Sequence, residues 1–73
     1  MRFSHHAKNR MRKEGIGIDL IEGIVRAPLR RRTDEKGNPI AVGRSPGGRQ
    51  LEIVIALDDP GYVITVIVRR NPR

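Results

Sequence analysis

Two runs rich in valine and isoleucine constrain the fold of this chain more than any other feature: QLEIVIAL at 50–57 and YVITVIVR at 62–69. β-Branched residues favour strands, and the DDPG sequence between the two runs is a turn signal. The spacing therefore predicts an antiparallel β-hairpin in which DDPG forms the turn.

The alternation within these runs predicts what each face of the hairpin contacts, because successive side chains of a strand point to opposite faces. Two fully apolar sets should lie under helices; they are Leu51, Ile53, Ile55 and Leu57, and Tyr62, Ile64, Val66 and Val68. The opposite face should carry Glu52, Thr65 and Arg69 among Val54, Ala56, Val63 and Ile67. An apolar floor with a few polar groups is typical of ligand and partner sites. A homodimer partner, or partial contact with water, would explain the same pattern equally well.

The segment SHHAKNRMRKEGI at 4–16 predicts the helix that we expect to organise the candidate site. Its serine is a favourable N-cap and its glycine a natural stop, so the helix should span 5–14. Ala7 and Met11 lie four residues apart and should form its buried stripe.

His6 and Arg10 are also four residues apart and should share a neighbouring face of this helix. Such a helix would present an imidazole beside a guanidinium. The pair is suited to handling phosphate, because histidines exchange protons near neutral pH and arginines grip two phosphate oxygens at once. From the residues alone, a surface or capping role explains His6 equally well.

The remaining segments complete an α+β domain that should span 1–73. We expect a short strand at 1–3, a second helix at 18–26 closed by Pro28, an Arg-rich extended segment from residue 29, and a strand at 39–44 between EKGN and SPGG turns. The predicted architecture is a short N-terminal strand with two helices packed on one face of a three- to four-stranded antiparallel sheet. Residues 71–73 are predicted to be a frayed tail.

The charge of the chain favours a polyanionic partner. Fifteen Lys and Arg residues oppose eight Asp and Glu residues, which gives a net charge of +7, and twelve of the fifteen are arginine. Arginine favours bidentate phosphate contacts, and a small basic domain most often meets nucleic acid. Only Phe3 and Tyr62 are aromatic, so base-stacking platforms are not expected. The chain has no cysteine and no apolar run long enough to span a membrane.

Taken in order, several segments resemble the RelE-like toxin superfamily: HHAKNRM, a Gly-Ile turn into an isoleucine-rich helix ending at Ala-Pro, GGRQLEIVIAL, and YVITVIV. The resemblance is to the small uncharacterised branch with an HAxxRM helix, related to BrnT toxins. It extends from Phe3 to about Arg69. It implies a cytoplasmic, metal-independent ribonuclease toxin without a cofactor, which cleaves RNA through attack by the 2′-hydroxyl. An acidic antitoxin or immunity protein would neutralise it.

This chemistry needs a base, an acid and cations around the phosphate, and it assigns predicted roles to residues of this chain. His6 is the predicted general acid or base, with His5 as an alternative. The predicted phosphate contacts come from Arg10, Arg49, Arg69 and Thr65. Glu52 is a candidate second proton carrier, or an ion-pair partner of Arg69. The predicted RNA-binding residues are His5, Arg12, Arg30, Arg31, Arg32 and Arg69, and no metal site is predicted.

Two other functions remain open at this point. A non-catalytic basic module could bind RNA or DNA through arginine contacts, and its binding would depend strongly on salt. A protein-interaction domain could instead use the apolar sheet face to bind an acidic partner. RNA that is bound but stays intact would favour the first of these alternatives.

Overall fold

Two helices pack on one face of a five-stranded mixed sheet in the computed structural model, which describes residues 1–69. The elements are β1 (Arg2–Phe3), α1 (His5–Glu14), α2 (Ile18–Arg26), β2 (Arg30–Thr33), β3 (Pro39–Arg44), β4 (Gln50–Ala56) and β5 (Asp59–Arg69). The predicted tail at 71–73 lies outside the described residues. Within residues 1–69, no helix is long and apolar enough to cross a membrane.

The strand order is β1-β5-β4-β3-β2, which places the two best-predicted strands at the centre of the sheet. The predicted α+β class is confirmed, and the predicted helix bounds match. The short N-terminal strand joins four antiparallel strands and makes the sheet mixed, because β1 runs parallel to β5 with Phe3 opposite Val63. The other neighbours are antiparallel.

Ser4 joins the start of α1 to β5. Its Oγ accepts a hydrogen bond from the backbone N–H of Ala7 at 3.0 Å and donates one to the backbone carbonyl of Ile64. At the other end, Gly15 has φ +69°, a left-handed conformation that glycine adopts without steric cost. Ser4 therefore fixes the start of α1 over β5, and Gly15 ends the helix.

The helices cover one face of the sheet and bury most of the core there. This cluster consists of Ala7, Met11, Ile16, Ile21, Ile24, Ala41, Leu51, Ile53, Ile55, Val63 and Val66. The opposite face, which we call the open face, has a smaller cluster of Ile40, Val42 and Val54, with Ile64 and Ile67 packed against it. The separation into two faces agrees with the predicted alternation of β4.

The predicted alternation of β5 is wrong for its first half, because the β4–β5 pairing contains a β-bulge. Thr65 lies opposite Val54, and Val63 lies opposite Ile55, so Ile64 is the extra residue. An extra residue inverts the alternation before it. Val63 is therefore buried under the helices, whereas Ile64 packs on the open face.

The turn of this hairpin also differs from the prediction. The turn is formed by Leu57 and Asp58, and β5 begins at Asp59 rather than after the whole DDPG sequence. Leu57, which we expected under the helices, is 63 % exposed. Arg2 forms an ion pair with Asp59 and lies over the ring of Tyr62, so the first residues of β5 also contact β1.

Gly43 allows α2 to approach β3 closely. A Cβ atom at this position would lie 2.7 Å from Cγ1 of Ile24, far inside normal contact distance. We therefore expect Gly43→Ala to lower the free energy of unfolding by about 1–3 kcal/mol through overpacking. Gly23→Ala is the matched control, because its Cβ would meet no atom within 4 Å and an added methyl group favours the helix. Urea denaturation measures both, and an unchanged midpoint for Gly43→Ala would contradict this account of the packing.

Candidate functional site

The outer side of α1 carries the predicted histidine and arginine. Ala7 is fully buried and Met11 is 8 % exposed, which confirms the predicted anchoring stripe. His6 is exposed. Arg10 lies one turn further along the same flank of the helix, and its side chain is partly buried. The anchoring of α1 therefore presents the imidazole and the guanidinium from one side of the helix.

Glu14 brings Arg49 to this flank from a distant part of the chain. Nη1 of Arg49 donates to Oε1 of Glu14 at 2.9 Å, and Nη2 donates to the backbone carbonyl of Glu14 at 3.2 Å. On the other side, Nη1 of Arg10 lies 4.0 Å from Oε2 of Glu14. We call His6, Arg10, Glu14 and Arg49 the α1 cluster.

The turn between β3 and β4 holds Arg49 in place. Ser45 and Arg49 pair through their backbones at 2.9 Å, and Oγ of Ser45 accepts from the Arg49 N–H at 3.2 Å. Gly48 has φ +89°, which the tight turn requires. The guanidinium thus meets the C-terminal end of α1, where free carbonyl groups favour a cation.

A second polar group lies on the open face around Glu52, which is only 2 % exposed. Its Oε1 accepts from Nη2 of Arg32 at 2.6 Å, and its Oε2 accepts from Nε of Arg69 at 2.7 Å and Nε2 of Gln50 at 3.0 Å. Both carboxylate oxygens of Glu52 therefore accept hydrogen bonds. Of the two roles considered for Glu52, the ion pair with Arg69 is present in the structure.

The pKa of the Glu52 carboxyl lies below its ordinary value of 4.5. Burial acts to raise this pKa, and it is outweighed by the hydrogen bonds from Arg69 and Gln50 together with the positive charge of Arg32. A carboxylate held ionised in this way is a weak proton acceptor at neutral pH, which argues against Glu52 as the second proton carrier.

A cleft of about 580 Å³ lies on the open face beside Arg32. Its floor is apolar and its rim is polar; the lining includes Ile40, Val54, Ile64, Ile67, Thr65, Arg32, Asn38 and Lys36. Within residues 1–69, no group of three or more His, Asp or Glu side chains could hold a metal ion.

The family model for DUF4258, a domain of unknown function, matches residues 3–68. The chain belongs to this family. No curated protein and no solved structure gives a significant match to the chain. The matched region of this DUF4258 domain spans both helices and the five strands except Arg2 and Arg69, so it contains the α1 cluster together with Glu52 and Arg32 of the open face.

The fold of the DUF4258 domain divides the predicted catalytic residues into two groups. His6 and Arg10 share one flank of α1, and Arg49 meets the C-terminal end of that helix through Glu14. Thr65 lies on the open face, where it pairs with Val54 and lines the cleft, so the sheet separates it from His6. The predicted alternation had placed Thr65 on the face away from the helices, and its pairing with Val54 confirms that position.

The predicted RNA-binding residues are likewise divided between surfaces. His5 and Arg12 are exposed on α1, whereas Arg31 pairs with Ala41 and shares the face of the sheet that the helices cover. Arg30, Arg32 and Arg69 lie on the open face. Contact with RNA stays a prediction for all six residues. Glu14 was missed, although its four-residue spacing from Arg10 is a signal for an ion pair.

We expect Glu52→Gln to lower the free energy of unfolding by about 1–3 kcal/mol near neutral pH, because Arg32 and Arg69 lose a buried partner. The folded-state pKa of Glu52 is lowered, so its contribution is complete above the unfolded pKa of about 4.5 and is lost as the pH falls through the folded value.

Urea denaturation near pH 7 and near pH 3 tests this expectation for the wild-type protein and the variant. The difference between them should shrink at the lower pH. Glu35→Gln, at an exposed position, is the control and should change stability by less than about 0.5 kcal/mol. A difference for Glu52→Gln that is the same at both pH values would show that its cause is not the ionised carboxylate.

Proposed function

We propose that this DUF4258 domain is a metal-independent ribonuclease whose site is the α1 cluster. One observation carries the proposal: Glu14 draws Arg49 to the flank of α1 that already presents His6 and Arg10. A proton carrier and two phosphate-binding cations are thereby assembled from two distant segments. The resemblance to RelE-like and BrnT toxins supports the same activity.

The proposed reaction is an attack by the RNA 2′-hydroxyl on the adjacent phosphate. The 2′-oxygen forms a bond to phosphorus, the bond from phosphorus to the 5′-oxygen breaks, and the products are a 2′,3′-cyclic phosphate and a 5′-hydroxyl. The 2′-hydroxyl loses a proton and the leaving oxygen gains one. His6 carries one of these protons, and water carries the other.

The two arginines differ in how firmly they are held. Arg49 makes two hydrogen bonds to Glu14, one of them to a backbone oxygen whose position does not depend on the Glu14 side chain. Arg10 is 4.0 Å from the same carboxylate and is free to turn towards a phosphate. In this proposal Arg49 positions the phosphate. Arg10 turns towards the phosphate oxygens and stabilises the negative charge that develops on them.

The remaining parts of the proposal follow from the charge. RNA approaches a protein of net charge +7, and the exposed His5 and Arg12 extend the basic surface of α1. In the cytoplasm, an acidic antitoxin or immunity protein would keep such a nuclease inactive by covering its arginines.

Cleavage in EDTA tests the role of His6. We expect the wild-type protein to cut total RNA and a defined oligonucleotide and to leave 2′,3′-cyclic ends. His6→Ala should lower the rate by about 10²-fold or more, because it removes a proton carrier. His5→Ala is the matched comparison and should lower the rate only a few-fold, since His5 lies about 100° around the helix from His6.

Three outcomes would contradict this assignment. Full activity in His6→Ala removes His6 from the mechanism, and loss of activity in His5→Ala alone moves the role to His5. RNA that is shifted on a gel but stays intact, both free and on the ribosome, identifies a non-catalytic nucleic-acid-binding module instead.

Arg49→Lys tests the phosphate contact. Lysine keeps the charge but loses the planar fork that holds Glu14, so we expect the cleavage rate to fall by at least about tenfold. Arg26→Lys, an exposed change in the last turn of α2, keeps the same charge and should leave the rate unchanged. Equal rates for the two variants would show that Arg49 acts only through its charge or not at all.

A further inference from the structure

We infer that the open face is a docking surface for an acidic amphipathic helix of a partner protein. In the described part of the chain, both helices lie on the other side of the sheet, and the buried apolar cluster of the open face is covered by side chains of the sheet itself and by no helix or strand. A sheet is usually covered by a layer of helix or sheet on each apolar face. The open face therefore has room for a further helix.

Cross-strand pairing places arginines around one end of this face. Arg44 lies opposite Gln50, which in turn lies opposite Arg69, and Arg30 lies opposite Val42. Directly opposite residues share a face, so these arginines join Arg32 around Glu52. Four arginines thus lie at this end of the face, and two of them, Arg32 and Arg69, contact the buried carboxylate of Glu52.

The charge of this end remains largely available to a partner. Glu52 is occupied by Arg32 and Arg69, whose side chains are still 44 % and 56 % exposed. Arg30 and Arg44 are exposed and have no carboxylate partner in the described residues. Acidic side chains are the groups that complement such a surface.

The other end of the open face is aliphatic and suits apolar side chains. The bulge turns Ile64 onto this face beside Ile67, and both are only partly buried. With Ile40 and Val54 they form the floor of the 580 Å³ cleft. One helix that carries leucine-like residues along a stripe flanked by Asp or Glu would match both ends.

A polypeptide fits this floor better than RNA does. Single-stranded RNA is held mainly by stacking of its bases on aromatic rings, and the open face offers β-branched aliphatic side chains instead. The two aromatic residues of the chain are elsewhere: Phe3 packs with the helix-side core, and Tyr62 lies beneath Arg2 at the start of β5.

The sheet separates this surface from the α1 cluster, so a docked helix and a bound phosphate need not exclude each other. The inference does not rest on RNA cleavage. A protein that binds the helix without cutting RNA would support the docking surface and contradict the nuclease. A protein that cuts RNA without binding the helix would support the nuclease and contradict the docking surface.

The experiment uses two labelled synthetic peptides with leucine at helical spacing, one with glutamate and one with lysine at the remaining positions. Fluorescence anisotropy at about 0.15 M salt, where long-range attraction is screened, measures their affinities for the full chain. We expect the glutamate peptide to bind and the lysine peptide not to bind. Amide shifts in the NMR spectrum should fall on Ile40, Val54, Ile64 and Ile67.

Two charge-reversal pairs distinguish the open face from a general charge effect. Arg30→Glu with Arg44→Glu acts on the open face, and Lys8→Glu with Arg12→Glu makes the same change in net charge on the exposed side of α1. The first pair should weaken glutamate-peptide binding by at least about tenfold, and the second by less than about threefold. Unfolding curves show whether the two double variants are folded. The amide shifts of the wild-type protein on peptide binding locate the site without any variant.

Several results would overturn the inference. They are no binding of the glutamate peptide, equal losses for the two pairs, or amide shifts that fall on α1. A fourth is displacement of the peptide by a 2′-O-methyl RNA oligonucleotide with shifts at the same four isoleucine and valine positions, which would identify the open face as an RNA surface.

Discussion

The burial of Ala7 and Met11 against the sheet is the contact on which the arrangement of the polar groups depends. These two side chains fix the rotation of α1, and the rotation decides that His6 and Arg10 face outward. Ser4 then fixes the position of α1 along β5, since one hydroxyl both caps the helix and binds the carbonyl of Ile64. A small apolar contact thus determines the direction of the polar groups on the neighbouring face of the helix.

Two carboxylates organise the arginines of this strongly basic chain. Glu14 joins Arg10 and Arg49 at the end of α1, and Glu52 joins Arg32 and Arg69 under the open face. Each brings together arginines from different elements, so that like charges come close without uncompensated repulsion. The two groups differ in exposure, because Glu14 lies at a helix end near water whereas Glu52 lies in the middle of the sheet.

This difference in exposure separates the roles that the two groups can take. A phosphate can replace Glu14 as the partner of Arg10 with little structural cost, since the guanidinium is already 4.0 Å from the carboxylate. Glu52 cannot release its arginines so easily, because a buried carboxylate without partners is strongly destabilised. This difference is the reason why we propose the α1 cluster as the place for chemistry and the open face as the place for a stable contact.

Local patterns in the sequence determined the helix bounds, the capping residues, the buried stripe of α1 and the face of β4 that meets the helices. These features depend on neighbouring residues and on the periods of helix and strand, which the sequence displays directly. Tertiary structure alone decided that β1 pairs parallel to β5, that Ile64 is an extra residue, and that Arg49 meets Glu14. Those outcomes depend on contacts between distant segments or on one unpaired residue within a strand, and neither leaves a periodic signal. The sequence therefore predicted the elements and their faces, whereas the packing of the whole chain decided which polar residues meet.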